Sequence, residues 1–190
     1  DVLSGQNKFA AKLKKAKRPM IIIGMGALVR ADGASVLGKA RQIAEKYGVI
    51  TDKWNGFNIL HTAAARVAGL DMGFLPDRGG MDVAAMAAAA KAGNLDVMWS
   101  LGADEIDYSD FASCFVIYQG HHGDACAHHA DIVLPGAAYT EKDGIYLNTE
   151  GRVQYANRAS FPPGEAREDW AIIRAVSGAI GKSIGMDSLA

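Results

Sequence analysis

Four of the five histidines and one of the two cysteines fall within nine residues, His121-His122-Gly123-Asp124-Ala125-Cys126-Ala127-His128-His129. Imidazole and thiolate are the ligands that zinc and copper favour, so His121, His122, Cys126, His128 and His129 are the candidates for a metal site. The spacing argues the other way. Adjacent histidines usually point apart, and no pair here matches the spacing of a structural zinc module, so a polar loop at the carboxyl end of a strand is the preferred reading.

Two other groupings could carry chemistry. Gly24-Met25-Gly26 follows an apolar run, and glycines after a strand let a backbone approach a pyrophosphate at a helix N-terminus. The fingerprint is incomplete, because its third position is Val29 and the next helix-opening glycine is Gly33. A structural turn is favoured over nucleotide binding. Asp104, Glu105, Asp107 and Asp110 gather carboxylates that could bind a hard cation or move a proton, yet calcium-loop spacing is absent and a solvated acidic loop fits better. No nucleophile sits in a motif that would expose it, so no catalytic residue is assigned.

The elements that must hold these residues read as α/β. Ser4 can cap a helix running to about Ala16, with Phe9 and Leu13 on its apolar face, and Pro19 stops it. Met20-Ile21-Ile22-Ile23 is a short β-branched strand feeding a tight glycine turn, a helix covers 33–47, and Val49-Ile50-Thr51 restarts a strand, completing a parallel strand–helix–strand unit. Residues 52–58 form a looser stretch, followed by helices over about 61–68 and 81–92. Strands follow at 96–101, 114–118 and 132–135, then a hairpin or irregular ribbon over 139–156 and a last helix from Glu168 to near Gly181. The expected fold is a mainly parallel sheet flanked by helices, a single domain over 1–190. Trp54, Trp99 and Trp170 are expected as core or interface anchors, and Glu150 with Arg152 as an internal ion pair that fixes the ribbon.

Composition narrows the function classes. The 190 residues carry 20 basic and 21 acidic side chains, so no global field points to nucleic acid or an anionic membrane surface. Two cysteines, Cys114 and Cys126, cannot supply the four thiolates of an ordinary iron–sulfur cluster. No apolar run reaches the roughly 20 residues of a membrane span, so direct membrane insertion is not expected. An opening Asp1 without an initiator methionine reads as a piece cut from a longer polypeptide or as a processed product, and the chain is treated as a fragment.

The most specific stretch is Ala130-Asp131-Ile132-Val133-Leu134-Pro135, continuing through Glu141-Lys142-Asp143-Gly144 to Asn148-Thr149-Glu150-Gly151-Arg152-Val153-Gln154. It resembles the signature of the molybdopterin oxidoreductases, the superfamily of formate dehydrogenases, nitrate reductases and DMSO reductase, with their α/β domains. The wording Pro135-Gly136-Ala137-Ala138-Tyr139-Thr140-Glu141-Lys142 is similar to the large iron–sulfur subunits of respiratory complex I. So are Leu101-Gly102-Ala103-Asp104-Glu105-Ile106, Tyr118-Gln119-Gly120-His121-His122-Gly123-Asp124 and Asp169-Trp170-Ala171-Ile172-Ile173-Arg174. Ile145 departs from the family's usual threonine, and 126–129 is richer in metal-binding side chains than the pattern.

That resemblance implies a scaffold domain with no cofactor of its own. Its parent would pass electrons from NADH through iron–sulfur clusters, held elsewhere in the chain, to quinone, with coupled ion translocation. The implied partners are other peripheral-arm subunits, on the bacterial cytoplasmic face or the mitochondrial matrix side. The rival reading is the cofactor-binding domain of a genuine molybdenum enzyme, in which Gly24, Gly26, Gly102, Asp104, His121, Asn148, Glu150 and Arg152 would shape a pterin site beyond the strand ends. A regulatory module with a vestigial nucleotide pocket is a third.

Overall fold

Short runs of β-branched and aromatic residues between glycines and polar loops set the strands, and alanine-rich or amphipathic stretches set the helices. A computed structural model describes residues 1–64, 66–123 and 125–188. Ala65, inside the helix expected over 61–68, and Asp124, inside the histidine-rich stretch, lie outside the described residues. The chain divides into two compact units, one of Asp1–Phe74 with Tyr146–Gln154, the other of Leu75–Ile145 with the stretch from Tyr155 onward.

In the first unit α1 spans Lys8–Lys15 and is capped by Asn7, whose Oδ1 accepts from the Phe9 amide at 2.8 Å. The hydroxyl of Ser4, the expected cap, instead donates to the Asp1 carbonyl. Asn7 prevails because it stands directly before the first helical turn. Ala10 is buried and Leu13 half-buried while Phe9 is exposed, so of the expected face only Leu13 turns inward, with Ala10 in place of Phe9. Strand β1, Ile21–Gly24, runs into a single turn, α2, Met25–Leu28, and then into α3, Gly33–Lys46. Residues 33, 36, 37, 40, 43, 44 and 47 turn inward along α3, the 3.6-residue period of an amphipathic helix.

The parallel partner of β1 is β4, Phe57–Leu60, in the register Ile21↔Phe57 to Gly24↔Leu60. The strand expected at 49–51 survives only as β2, Ile50–Thr51, which pairs antiparallel with β3, Trp54–Asn55. The strand–helix–strand unit therefore exists, but its return strand lies in the stretch expected to be loose. Trp54 fixes this corner: its Nε1 donates to the Pro19 carbonyl at 2.9 Å, and the Arg18 guanidinium lies 5.6 Å over the ring. Helix α4, Arg66–Asp71, begins later than expected.

The second unit holds α5, Val83–Lys91, capped by Asp82 Oδ1 on the Ala85 amide. Then follow β5, Val97–Leu101, a 3-10 turn at Tyr108–Phe111, β6, Phe115–Gly120, α6, Ala125–His129, and β7, Ile132–Pro135. The three strands form a parallel sheet in the order β5-β6-β7. Against one face pack Ala90, Tyr108, Phe111, Cys114, Val116, Tyr118 and Cys126, the core of this unit. Each fully buried large side chain there contributes about 1.5–3 kcal/mol. Strands β8, Gly144–Leu147, and β9, Val153–Ala156, pair with each other, and five linking residues reverse the chain, so the ribbon is a hairpin. Helix α7, Asp169–Ala179, follows Glu168, as expected. The architecture is α/β, with parallel sheets flanked by helices.

Candidate functional site

Ligands in open α/β sheets sit beyond the carboxyl ends of the strands. There, after β6 and β7, the second unit has a cavity of about 590 Å³ walled by Tyr118, His121, His122, Val133, Pro135 and Glu141, among others. The strand order is sequential, so these described strands contain no reversal of direction of the kind that opens a dinucleotide crevice.

Protein groups already occupy the room beside two glycines of this cavity, Gly120 and Gly136, whereas the space beside Gly123 is open. A Cβ on Gly120 would lie 2.2 Å from the Tyr118 hydroxyl, and one on Gly136 would lie 3.2 Å from Asp169 Oδ1 and 3.4 Å from the Gly120 carbonyl. Tyr118, two residues back on the same face, folds over Gly120 and donates to the His122 carbonyl at 3.1 Å. Among the described lining residues the carboxylates are Glu141 and Glu165, and no lysine or arginine takes part. Glu141 Oε2 accepts from the Ala138 amide at 2.9 Å, closing its own loop.

The histidine-rich stretch is divided. The rings of His121 and His122 meet edge to face with centroids 4.3 Å apart, in the loop after β6. Cys126 is fully buried in the hydrophobic core on α6. His128 and His129 end that helix; His129 Nδ1 lies 2.9 Å from the Ala125 carbonyl, and its ring stacks on Tyr108 with centroids 6.1 Å apart. Among the described residues no three His, Cys, Asp or Glu side chains converge as a metal site would require.

Three of the four carboxylates of the acidic cluster, Asp104, Asp107 and Asp110, serve local structure. Asp104 Oδ1 accepts from the Cys126 amide at 3.3 Å, and Asp110 pairs with Lys91 at 2.8 Å. Asp107 caps the 3-10 turn, where the hydroxyl and amide of Ser109 hold its carboxyl below the usual aspartate range. Gly102 has φ +60°, and its amide donates to the Gln119 carbonyl at 2.8 Å, so that N–H is committed to the protein. Burial pushes the Tyr108 phenol above the usual tyrosine range, while its hydroxyl donates to the Ala103 carbonyl at 2.5 Å and lies 2.8 Å from Ser100 Oγ.

In the first unit, Gly24 ends β1 and Gly26 lies within α2, neither with a positive φ, so the expected tight turn is a helical one. Asn148 shapes the hairpin: its Oδ1 accepts from the amides of Glu150 at 3.0 Å and Arg152 at 2.9 Å. The Glu150–Arg152 pair, expected to be internal, is exposed by 67% and 70% at a distance of 3.4 Å. Such a pair contributes little, and the asparagine holds the turn instead.

Sequence reasoning missed a polar cluster at the end of β6, in which the buried Gln119 Oε1 is left without a hydrogen-bond partner among the described residues. Gln119, fully buried at the end of β6, donates through Nε2 to Asp169 Oδ1 at 3.0 Å and to the Asp169 carbonyl at 3.3 Å. Asp169 Oδ2 in turn pairs with Lys142, the lysine of the Glu141-Lys142 motif. The amide of Arg158 donates to Asp143 Oδ1 at 2.7 Å, and the Thr140 carbonyl accepts from Ala159 and Ser160. This network ties the motif loop to the start of α7; it supplies positioning, and no acid, base or nucleophile aimed into the cavity. A glutamine at the end of an apolar strand was the one available signal.

The profile of the family described as "Molybdopterin oxidoreductase" matches residues 1–179. The G subunit of the NADH-quinone oxidoreductase of Rickettsia typhi (strain ATCC VR-144 / Wilmington) is 43% identical over 189 residues, 100% of this chain and 26% of its own. That of Rickettsia bellii (strain RML369-C) is 46% identical over 169 residues, 89% of this chain and 23% of its own. The NADH-ubiquinone oxidoreductase 75 kDa subunit of Reclinomonas americana is 43% identical over 188 residues, 99% and 27% respectively. The chain thus spans about a quarter of the length of the curated relatives it matches. Among solved structures, acetylene hydratase from Pelobacter acetylenicus overlaps 52% of this chain and 16% of its own at 19% identity, with a TM-score of 0.45, a likeness too slight to carry any inference.

Proposed function

This chain belongs to the molybdopterin oxidoreductase family, and from that premise we propose that it is a structural domain of the large iron–sulfur subunit of an NADH-quinone oxidoreductase. The observation that carries the reading is identity of 43% along the entire chain to one such subunit, that of Rickettsia typhi. In this role the parent oxidises NADH and reduces quinone, electrons pass through iron–sulfur clusters held outside these residues, and other subunits of the complex are the partners. No helix among the described residues is long and apolar enough to cross a membrane, which accords with a peripheral place in a membrane complex. The cytoplasmic face in bacteria, or the matrix side in mitochondria, is the corresponding location.

The family name implies a molybdopterin, and the residues present do not suit one. A pterin carrying phosphates calls for cations or free backbone amides at the strand ends. Among its described residues the cavity after β6 and β7 offers two carboxylates and two histidines, Tyr118 and Asp169 take up the space beside Gly120 and Gly136, and the Gly102 amide is already bonded. Buried Cys114 and Cys126 lie in the apolar core, away from the role of cluster ligands. We therefore assign no catalytic or cofactor-binding residue to this chain.

Affinity isolation of the tagged full-length polypeptide from detergent extract tests the reading. The expected product oxidises NADH and reduces quinone as a multisubunit assembly, and its turnover is unchanged by single substitutions at His121, Glu150 or Arg152. Recovery as a stand-alone enzyme carrying stoichiometric pterin would contradict it.

A further inference from the structure

A cleft of about 300 Å³ opens in the second unit beside the start of α7, walled by Arg158, Phe161, Pro162, Arg167, Glu168 and Trp170, among others. Local bonds fix these walls. The Arg158 amide donates to Asp143 Oδ1 at 2.7 Å, and the Trp170 indole N–H donates to the Glu168 carboxylate. Arg167 donates to the Ala166 carbonyl at 2.9 Å and pairs with Glu165 at 3.3 Å. The Arg158 guanidinium differs: among the described residues it has no carboxylate partner, and it stacks on the Phe161 ring, 4.3 Å from the centroid. Stacking engages the face of a guanidinium and leaves its in-plane N–H donors free, the fork that grips a carboxylate through two parallel hydrogen bonds.

We propose that this cleft is the docking site for an acidic segment of another polypeptide. An aspartate or glutamate of that segment pairs with Arg158, and a neighbouring apolar side chain enters between Phe161, Pro162 and Trp170. The inference rests on the proposed function in one respect, that the partner is sought among the other subunits of the assembly.

Charge and composition select this occupant over the others. Arginine beside large aromatics marks the centre of an interface between proteins, whereas the core within one chain almost never buries an arginine. Phe161 is 76% exposed, so the cleft is too open to cover the roughly 70–90% of a small molecule's surface that ligand pockets bury. A second copy seated across a two-fold axis would oppose one cationic patch to another. Glu165 and Glu168 flank the arginines, and a net charge of −1 gives nucleic acid no field to follow.

The test is a photo-crosslinking residue, benzoylphenylalanine, installed in the tagged full-length protein at Phe161 and, in a second variant, at the exposed Ser160 beside it. Irradiation of the isolated assembly and peptide mass spectrometry should place the products from both positions on one segment of another subunit, next to an aspartate or glutamate. Adding Arg158→Glu should lower their yield at least about tenfold, the loss of a central interface contact, with the melting temperature unchanged because that side chain is exposed. Products on the same polypeptide, on a second copy or on a segment without a carboxylate would overturn the proposal. So would a yield that Arg158→Glu leaves unchanged, or no product from either position. Co-isolated NADH oxidation reports separately on the proposed function: a carboxylate-bearing partner captured in an assembly without that activity would sink that reading and keep this one.

Discussion

Removing the Asp169 carboxylate should be the most damaging single change to the polar framework of the second unit. Its Oδ1 accepts from Gln119, which is fully buried, and its Oδ2 pairs with Lys142, the two side chains being 31% and 24% exposed. A hydrogen bond from a buried amide to a carboxylate contributes about 1.5–3 kcal/mol. The partly screened ion pair adds at most about 1 kcal/mol, and the negative charge at the N-terminus of α7 about 0.5 kcal/mol. Asp169→Ala should therefore cost about 3 kcal/mol, a fall in melting temperature of roughly 6–12 °C for a chain of this size. Asp169→Asn keeps an acceptor for Gln119 and should cost about 1 kcal/mol. Urea denaturation followed by far-ultraviolet circular dichroism, with Lys142→Met completing a double-mutant cycle, measures each contribution. An Asp169→Ala variant within about 0.5 kcal/mol of the parent, or an Asn variant as unstable as the Ala variant, would refute the network as described.

Tyr108 is held neutral in the folded state with its phenol pKa raised, so the unfolded chain releases that proton first; the associated stability is complete below about pH 10 and declines as pH rises beyond it. Tyr108→Phe should flatten that alkaline decline in denaturation curves recorded from about pH 8 to 11, while losing about 1 kcal/mol at neutral pH with the Ala103 hydrogen bond. Cys114 and Cys126, 8% and 0% exposed, should fail to react with a thiol reagent in the native protein and react together on unfolding; rapid labelling of Cys126 would show α6 unpacked from the core. Gly120→Ala drives a methyl group into the Tyr118 ring and should cost about 2 kcal/mol by denaturation, with no effect expected from the same change at exposed Gly123.

The elements legible in the sequence are those whose local pattern agrees with their packing. β5, β6 and β7 are legible as short apolar runs bounded by glycines and polar loops, the composition of strands in parallel sheets, and α3 shows its period because one stripe alone turns inward. β4 escaped because Asn58 interrupts Phe57-Asn58-Ile59-Leu60 and the pairing with β1 is non-local, whereas Val49-Ile50-Thr51 has the better strand composition and closes only a two-residue ladder. The helix start at Asn7 instead of Ser4 turns on a single capping hydrogen bond. At the candidate site, histidine and cysteine counts marked a stretch whose side chains the helix α6 separates, sending Cys126 inward and His129 along the helix surface. Composition registers ligand types and is blind to direction. The Gln119–Asp169–Lys142 network joins residues 50 and 27 positions apart, a proximity that only the fold creates.

Whether a domain of the molybdopterin oxidoreductase family serves here without that cofactor is the question on which the functional reading stands. Metal mass spectrometry of the isolated full-length assembly, with fluorescence after acid release of any pterin, decides it most directly. The expected result is iron in cluster stoichiometry with neither molybdenum, tungsten nor pterin above trace level; one pterin per polypeptide, lost on substitution of Gly102 or Gly120, would contradict it.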